Sequence, residues 1–196
     1  MRKISLHKDF KLNRESFTSV NELLSYVRIN ASELYSFLFN WFSSDEISVR
    51  TSGSTGKPKT IKLKKNQMIN SALATGKYFE LSENTTALLC LPTEYIAGKM
   101  MLVRAITLGW QLDIVAPTSE VKIEKEYDFS AMVPMQVQNS LSNLHKIKKL
   151  IIGGGVVSEE LKNLLQQLKT QVFGWSILYH SKQLNAWSYR QSYDEK

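Results

Sequence analysis

The sequence predicts an α/β protein, with a mainly parallel sheet of βαβ units flanked by helices. Two observations carry this expectation. Short apolar runs stop abruptly at proline or glycine, as at 86–91 before Pro92 and at 149–152 before Gly153-Gly154-Gly155. Between such runs lie amphipathic segments of about 10–15 residues, the length of a helix that returns one parallel strand to the next. A third observation adds a different unit. Ile47-Ser48-Val49-Arg50 and Thr60-Ile61-Lys62-Leu63-Lys64 both alternate as strands do, and they enclose a stretch rich in serine, glycine and lysine, which predicts a hairpin.

In chain order, residues 21–29 place apolar side chains at helical spacing, with Asn21 as the candidate cap. A second helix starts near Ser32 and carries Leu34, Phe37, Leu38, Trp41 and Phe42, an aromatic stripe that reads as core; Ser43-Ser44-Asp45 ends it. After the hairpin, residues 66–80 form a helix with Met68, Ile69, Leu73 and Tyr78 approximating one face. The continuous apolar run 86–91 fits a strand buried on both faces. A helix over 94–108 is closed by Gly109. A strand at 112–115, a polar loop at 118–127 and a strand at 129–133 ended by Pro134 follow. Residues 136–144 predict a helix, and 149–152 a strand running into the three glycines. Ser158 caps a helix over 159–169, whose first-turn Glu159 and Glu160 complement the helix dipole. Residues 171–173 give one more strand, and beyond Gly174 the aromatic residues Trp175, Tyr179, Trp187, Tyr189 and Tyr193 crowd a segment with no period of 2 or 3.6.

At 196 residues, 43% apolar and 22% charged, the chain can bury a sizeable core. No apolar run approaches the ~20 residues of a membrane span. The basic start Met1-Arg2-Lys3 precedes no apolar segment of the kind a secretory signal needs. The single cysteine, Cys90, forms no internal disulfide and reads as a buried, inert thiol. These features lead us to expect a cytoplasmic protein. The net charge of +7 is compatible with anionic partners, and a solvated lysine surface accounts for it equally well. No zinc spacing, helix-turn-helix or aromatic RNP-like strand accompanies the lysines, so a nucleic-acid partner is not expected. His7, His145 and His180 have no ligand-like partner at close spacing, so neither a metal site nor a histidine triad is expected.

The stretch with the most chemistry is Ser52-Gly53-Ser54-Thr55-Gly56-Lys57-Pro58-Lys59. Glycine lets backbone N–H groups turn towards an anion, and successive N–H groups form an anion-binding nest. Three hydroxyls and two lysines add donors and charge. The stretch is not a Walker loop, because two residues rather than four separate its glycines and Pro58 follows Lys57. On composition alone a solvated hairpin tip is the competing interpretation.

Thr51 through Lys59 resembles, position by position, the phosphate loop of the adenylate-forming superfamily of acyl-CoA synthetases, luciferases and peptide-synthetase adenylation domains. Leu88-Leu89-Cys90-Leu91-Pro92 and Tyr95-Ile96-Ala97-Gly98-Lys99-Met100-Met101 are similar to the o-succinylbenzoate–CoA ligases of menaquinone synthesis, in their short Bacteroidetes-type form. The resemblance spans about residues 5–173 and implies the N-terminal domain of the adenylate-forming fold, incomplete here, with a β-hairpin phosphate loop. It implies ATP, Mg²⁺ and CoA as cofactors and a carboxylic acid as substrate. Ser52, Gly53, Ser54, Thr55, Gly56, Lys57 and Lys59 would then hold the β- and γ-phosphates.

Two further segments gain roles from the resemblance. Gly153, Gly154 and Gly155 would lie against adenine and the acyl group, although Val156-Val157 departs from the family's Ala-Pro; a plain strand-to-helix turn is the alternative. Tyr95 would gate the acyl site, the alternative being a half-buried tyrosine at a helix start. Lys99 and Arg104 can meet substrate carboxylates or be solvated helix residues, and solvation is the expectation for Arg104. No catalytic residue is assigned. Where the family has Tyr-Gly-x-Thr-Glu, with a Mg²⁺-linked glutamate, this chain has Phe173-Gly174-Trp175-Ser176-Ile177. The family's later aspartate, hinge and C-terminal domain with its adenylation lysine have no counterpart before Lys196. A frameshift near codon 174, leaving 174–196 out of frame, and a natural truncation are the two explanations; either leads us to expect impaired turnover. The alternative function is a degenerate nucleotide-binding module.

Overall fold

The computed structural model describes residues 6–50, 60–175 and 186–188. It divides into two compact units, Met1–Ile114 and Val115–Lys196. Both are built on parallel strands with helical crossovers, as expected.

The first unit opens with β1 (Lys11–Leu12) and β2 (Glu15–Ser16), an antiparallel ribbon turned by Asn13 and Arg14 at φ 49° and 72°. Positive φ at both central residues is the geometry that matches the twist of paired strands. Helix α1 (Val20–Asn30) is capped by Ser19, which accepts from Glu22 N at 3.2 Å; the expected cap, Asn21, lies two residues later, inside the helix. Helix α2 (Ser32–Ser43) buries Leu34, Phe37, Leu38 and Trp41 of the expected stripe and leaves its last member, Phe42, half-buried. Strands β3 (Glu46–Arg50) and β4 (Thr60–Lys64) form the expected antiparallel hairpin, in register from Glu46 opposite Lys64 to Arg50 opposite Thr60.

Helix α3 (Lys65–Phe79) departs from the expected face. Met68, Ala72, Thr75, Gly76 and Phe79 are buried, whereas Leu73 and Tyr78 point outward. Small residues at 72, 75 and 76 let α3 approach its neighbour α4 (Ile96–Leu108), which is buried on every side from Gly98 to Ile106. Gly109, at φ 72°, closes α4 as expected. Strands β5 (Thr86–Leu89) and β6 (Gln111–Ile114) pair in parallel, and β1 adds in parallel to the far side of β6.

In the second unit β7 (Tyr127–Met132), β8 (Ile147–Gly153) and β9 (Gln171–Trp175) are parallel neighbours, and β10 (Ala186–Ser188) pairs antiparallel to β9. A strand thus lies within the stretch whose pattern showed no period. The single helix expected over 136–144 is two elements, α5 (Pro134–Asn139) and a 3₁₀ turn (Leu141–Lys146). Ser140 breaks it: its buried hydroxyl accepts from Val121 N at 2.9 Å, tying the preceding loop to this corner. Helix α6 (Glu159–Gln166) is capped by Ser158 as expected but ends three residues early, where i→i+3 bonds from Gln167 and Leu168 tighten the last turn before β9.

Candidate functional site

Three segments carry the candidate residues. The first is the hairpin. Alternation turns Ile47 and Val49 into the core at 3% and 1% exposure, while Lys62 and Glu46 form an exposed ion pair across it at 3.9 Å. Lys65 N donates to Asp45 O at 3.2 Å, so the hairpin closes at its base and passes directly into α3. Ser52, Gly53, Ser54, Thr55, Gly56, Lys57 and Lys59 occupy the nine-residue connection between the two strands and lie outside the described residues. Lys65 is buried 5.5 Å from the centre of the Trp41 ring; burial lowers its pKa, opposed by the nearby Asp45 carboxylate.

The second segment joins β5 to α4. Pro92 stops the strand, and Tyr95 stands at the N-cap position of α4 with its ring half exposed. Lys99 is buried beneath the turn. Its Nζ donates to Thr93 O at 2.8 Å and Glu94 O at 2.6 Å and lies 5.9 Å from the Phe37 ring centre. Burial lowers the Lys99 pKa, and Glu94 opposes the shift. Thr93 Oγ1 donates to Glu33 O on α2 at 3.2 Å. Gly98 is required by packing, since a Cβ there would stand 2.3 Å from Pro92 O.

Arg104, expected to be solvated, is buried, because α4 is enclosed all round. Its Nε donates to Thr75 Oγ1 at 3.2 Å and its Nη1 contacts Met101 Sδ at 3.8 Å. Desolvation pushes its pKa down to about 10.

The third segment follows β8. Gly154 adopts φ 79°, and Gly154, Gly155 and Val156 form one side of an open groove of about 490 Å³. Val133, Pro134, Met135 and Leu161, with the polar Gln138 and Ser158, line the remainder. Val156 and Met135 are 92% and 60% exposed, so the groove presents apolar surface to solvent.

A profile of the AMP-binding enzyme family matches residues 49–175, which include the hairpin connection, Tyr95, Lys99 and the three glycines. The chain belongs to the AMP-binding enzyme family. A solved acyl-CoA synthetase (AMP-forming)/AMP-acid ligase II-like protein from Dyadobacter fermentans is 36% identical, with a TM-score of 0.68 over 76% of this chain and 46% of that one. The o-succinylbenzoate coenzyme A synthetase (MenE) of Bacillus subtilis, solved with AMP, shares the fold at 20% identity, with a TM-score of 0.61 over 76% of this chain and 33% of that one. The N-terminal subdomain of NpsA from Klebsiella oxytoca, solved with 3-hydroxyanthranilyl-AMSN, shares it at 20% identity and TM-score 0.56, over 68% and 37% of the two chains. This chain therefore spans less than half the length of these relatives. Comparison with curated proteins finds no match.

In this member of the AMP-binding enzyme family, Tyr95 and Lys99 share one turn of the first unit; Gly154 and Gly155 belong to the groove of the second, whereas Gly153 ends β8 and does not line it. Among the described residues no group of three or more histidine, cysteine or carboxylate side chains is placed to hold a metal ion, and no helix is long and apolar enough to cross a membrane. Sequence reasoning missed Thr93, whose hydroxyl reaches a carbonyl 60 residues away, and Met135, exposed beside the glycines. Met135 has a local signal, an apolar residue directly after the proline that starts α5; Thr93 has none.

Proposed function

We propose that the chain is the nucleotide- and acyl-binding part of an AMP-forming acid–CoA ligase, with o-succinylbenzoate as the acid and menaquinone synthesis as the setting. One observation carries this reading: the Thr51-to-Lys59 motif connects the two strands of a hairpin inside a matched AMP-binding domain. In the reaction, a substrate carboxylate attacks the α-phosphate of ATP, forming an acyl-adenylate and releasing pyrophosphate. The thiolate of CoA then displaces AMP and forms the thioester. The chain's own part is to hold charge and orient the acid. Ser52, Gly53, Ser54, Thr55 and Gly56 wrap the β- and γ-phosphates, with Lys57 and Lys59 supplying positive charge. Gly154 and Gly155, directly after Gly153 at the end of β8, present bare backbone on which a planar ring can lie, beside the apolar Val156 and Met135. Tyr95 offers an exposed ring at the carboxyl end of β5, the end at which open α/β sheets bind ligands.

Mg²⁺ accompanies ATP in such chemistry, yet Ile177 occupies the place of the family's glutamate, and the described residues offer no cluster that fits the ion. No step is therefore assigned to a residue of this chain through the metal. Ile177 favours a second reading, a module that binds ATP without turnover. Pyrophosphate release separates the two. Release from ATP that depends on o-succinylbenzoate supports the ligase, and ATP binding without release supports the module. In either case Lys59→Ala with Thr55→Ala is expected to abolish the ATP-dependent rise in melting temperature, and an unchanged rise removes the phosphate-loop assignment. Such a ligase works where ATP and CoA are found, which places it in the cytoplasm.

A further inference from the structure

The turn between β5 and α4 is fixed far more firmly than its length requires. Thr93 and Glu94 direct successive carbonyls inward to one ammonium, that of Lys99, at 2.8 and 2.6 Å. Tyr95 N donates to Pro92 O at 3.3 Å, and Lys99 N donates to Tyr95 O at 3.1 Å. Thr93 Oγ1 bonds Glu33 O, which ties the turn to α2. Gly98 lets the first turn of α4 touch the Pro92 carbonyl. The carbonyl of Glu94 and the N–H of Tyr95 lie in one rigid peptide plane, so holding Glu94 O fixes where the Cα of Tyr95 begins. Two side chains of the turn are left in solvent, those of Glu94 and Tyr95, and the one these bonds aim that carries a ring is Tyr95, 46% exposed.

We propose that Lys99 is a positioning residue, whose buried ammonium holds the 92–95 turn and thereby sets the Tyr95 ring at the rim of the acyl site. The clamp stands on geometry alone; the word acyl rests on the ligase reading above. The arrangement also explains why an ammonium is taken out of water here. Two carbonyls replace its hydration shell, and charge-assisted bonds of this kind are about twice as strong as neutral ones. With two of its three donors directed to the turn and its side chain buried, Lys99 is placed to act on the acyl site through Tyr95.

The test uses the full chain and two probes, the 5′-O-sulfamoyladenosine adducts of o-succinylbenzoate and of benzoate. The first keeps a free carboxylate and the second has none. Lys99→Met is expected to speed amide exchange over residues 92–98 at least tenfold, with exchange in β7 and β8 unchanged. It is also expected to weaken both probes by a similar factor, tenfold or more. Tyr95→Ala should weaken both probes too, and the double variant should bind no worse than either single one, since coupled residues are not additive. Thr93→Val, which removes only the bond to Glu33, is expected to change exchange and binding in the same direction by a smaller factor; it is the readout if Lys99→Met does not fold. Loss of the carboxylate-bearing probe alone would make Lys99 a direct substrate contact and overturn the proposal, as would unchanged exchange. Faster exchange with probe binding untouched by Tyr95→Ala would instead overturn the acyl-site reading and leave the clamp standing.

Discussion

The strand-to-helix connections after β5 and after β8 are built on opposite plans. The connection after β5 is held by side chains. A lysine and a threonine spend their donors on backbone carbonyls, and a glycine exists so that helix and turn can touch. The connection after β8 is defined by the lack of side chains. Gly154 and Gly155 are less tightly confined than Gly98, a Cβ on either meeting nothing nearer than 3.3 Å, and the neighbouring Val156 is almost wholly exposed. The difference teaches how one topology serves two tasks. A ring that must stand at one place needs a braced backbone beneath it, whereas a flat surface for a ligand needs atoms left out.

The glycines give the largest contrast. At position 98 a Cβ would lie 2.3 and 2.7 Å from Pro92 O and C and 2.9 Å from Leu91 O, all backbone atoms that no rotamer change can move. Gly98→Ala is expected to destabilise the fold by about 3 kcal/mol, the upper range for overpacking. At position 155 the nearest atoms are Cδ and Cγ of Pro134 at 3.3 Å, and the same substitution is expected to cost less than about 1 kcal/mol. Denaturant midpoints of the two variants check this, and equal costs would show that the two connections are braced alike.

A smaller effect separates two buried cations on α4. Lys99 has two carbonyl partners, whereas Arg104 has a threonine hydroxyl and a thioether, with no carboxylate among the described residues. Desolvation lowers the Arg104 pKa from its ordinary value to about 10. The folded state is therefore the weaker proton binder between that value and the ordinary guanidinium range, and the cost of burying the charge is fully present below pH 10 and relieved as pH rises above about 10. Arg104→Met should raise stability by about 1 kcal/mol at pH 7, because an apolar side chain of similar length removes a buried charge that is incompletely paired. Its advantage should shrink above pH 10, whereas Lys99→Met is destabilising at pH 7. Urea melts at pH 7 and 10.5 decide the sign.

The same contrast marks what could be read in the sequence. Parallel strands and helices were legible where periodicity is long: α2, α4, β5 and β8 fall within a few residues of expectation. Strands β1 and β2, of two residues each, are too short to show a period, and their Asn13-Arg14 turn lacks the usual glycine. The break at Ser140 and the burial of Arg104 come from contacts distant in sequence, with Val121 and Thr75, which no local pattern encodes. At the candidate site the glycine run and Tyr95 were visible as residue types. The clamp was not, because Lys99 on a helix reads as a substrate contact or a solvated cation until the turn above it is seen to need one.

The smallest expected effect tests the open connection. Val156 is 92% exposed, so it contributes almost nothing to the core, and Val156→Ser should leave stability within about 0.5 kcal/mol of the parent. If the groove beside the glycines takes the flat part of an acyl-adenylate, the valine methyls are covered only in the complex. Losing roughly 40 Å² of apolar burial at 25 cal/mol per Å² is about 1 kcal/mol, or about fivefold in affinity for the sulfamoyl-adenosine probes. A change of that size in titration calorimetry, with an unchanged melting temperature, fits a surface made for a ligand. An unchanged affinity would mean that the ligand lies elsewhere, and the exposed valine would then be an ordinary apolar residue on a solvated turn.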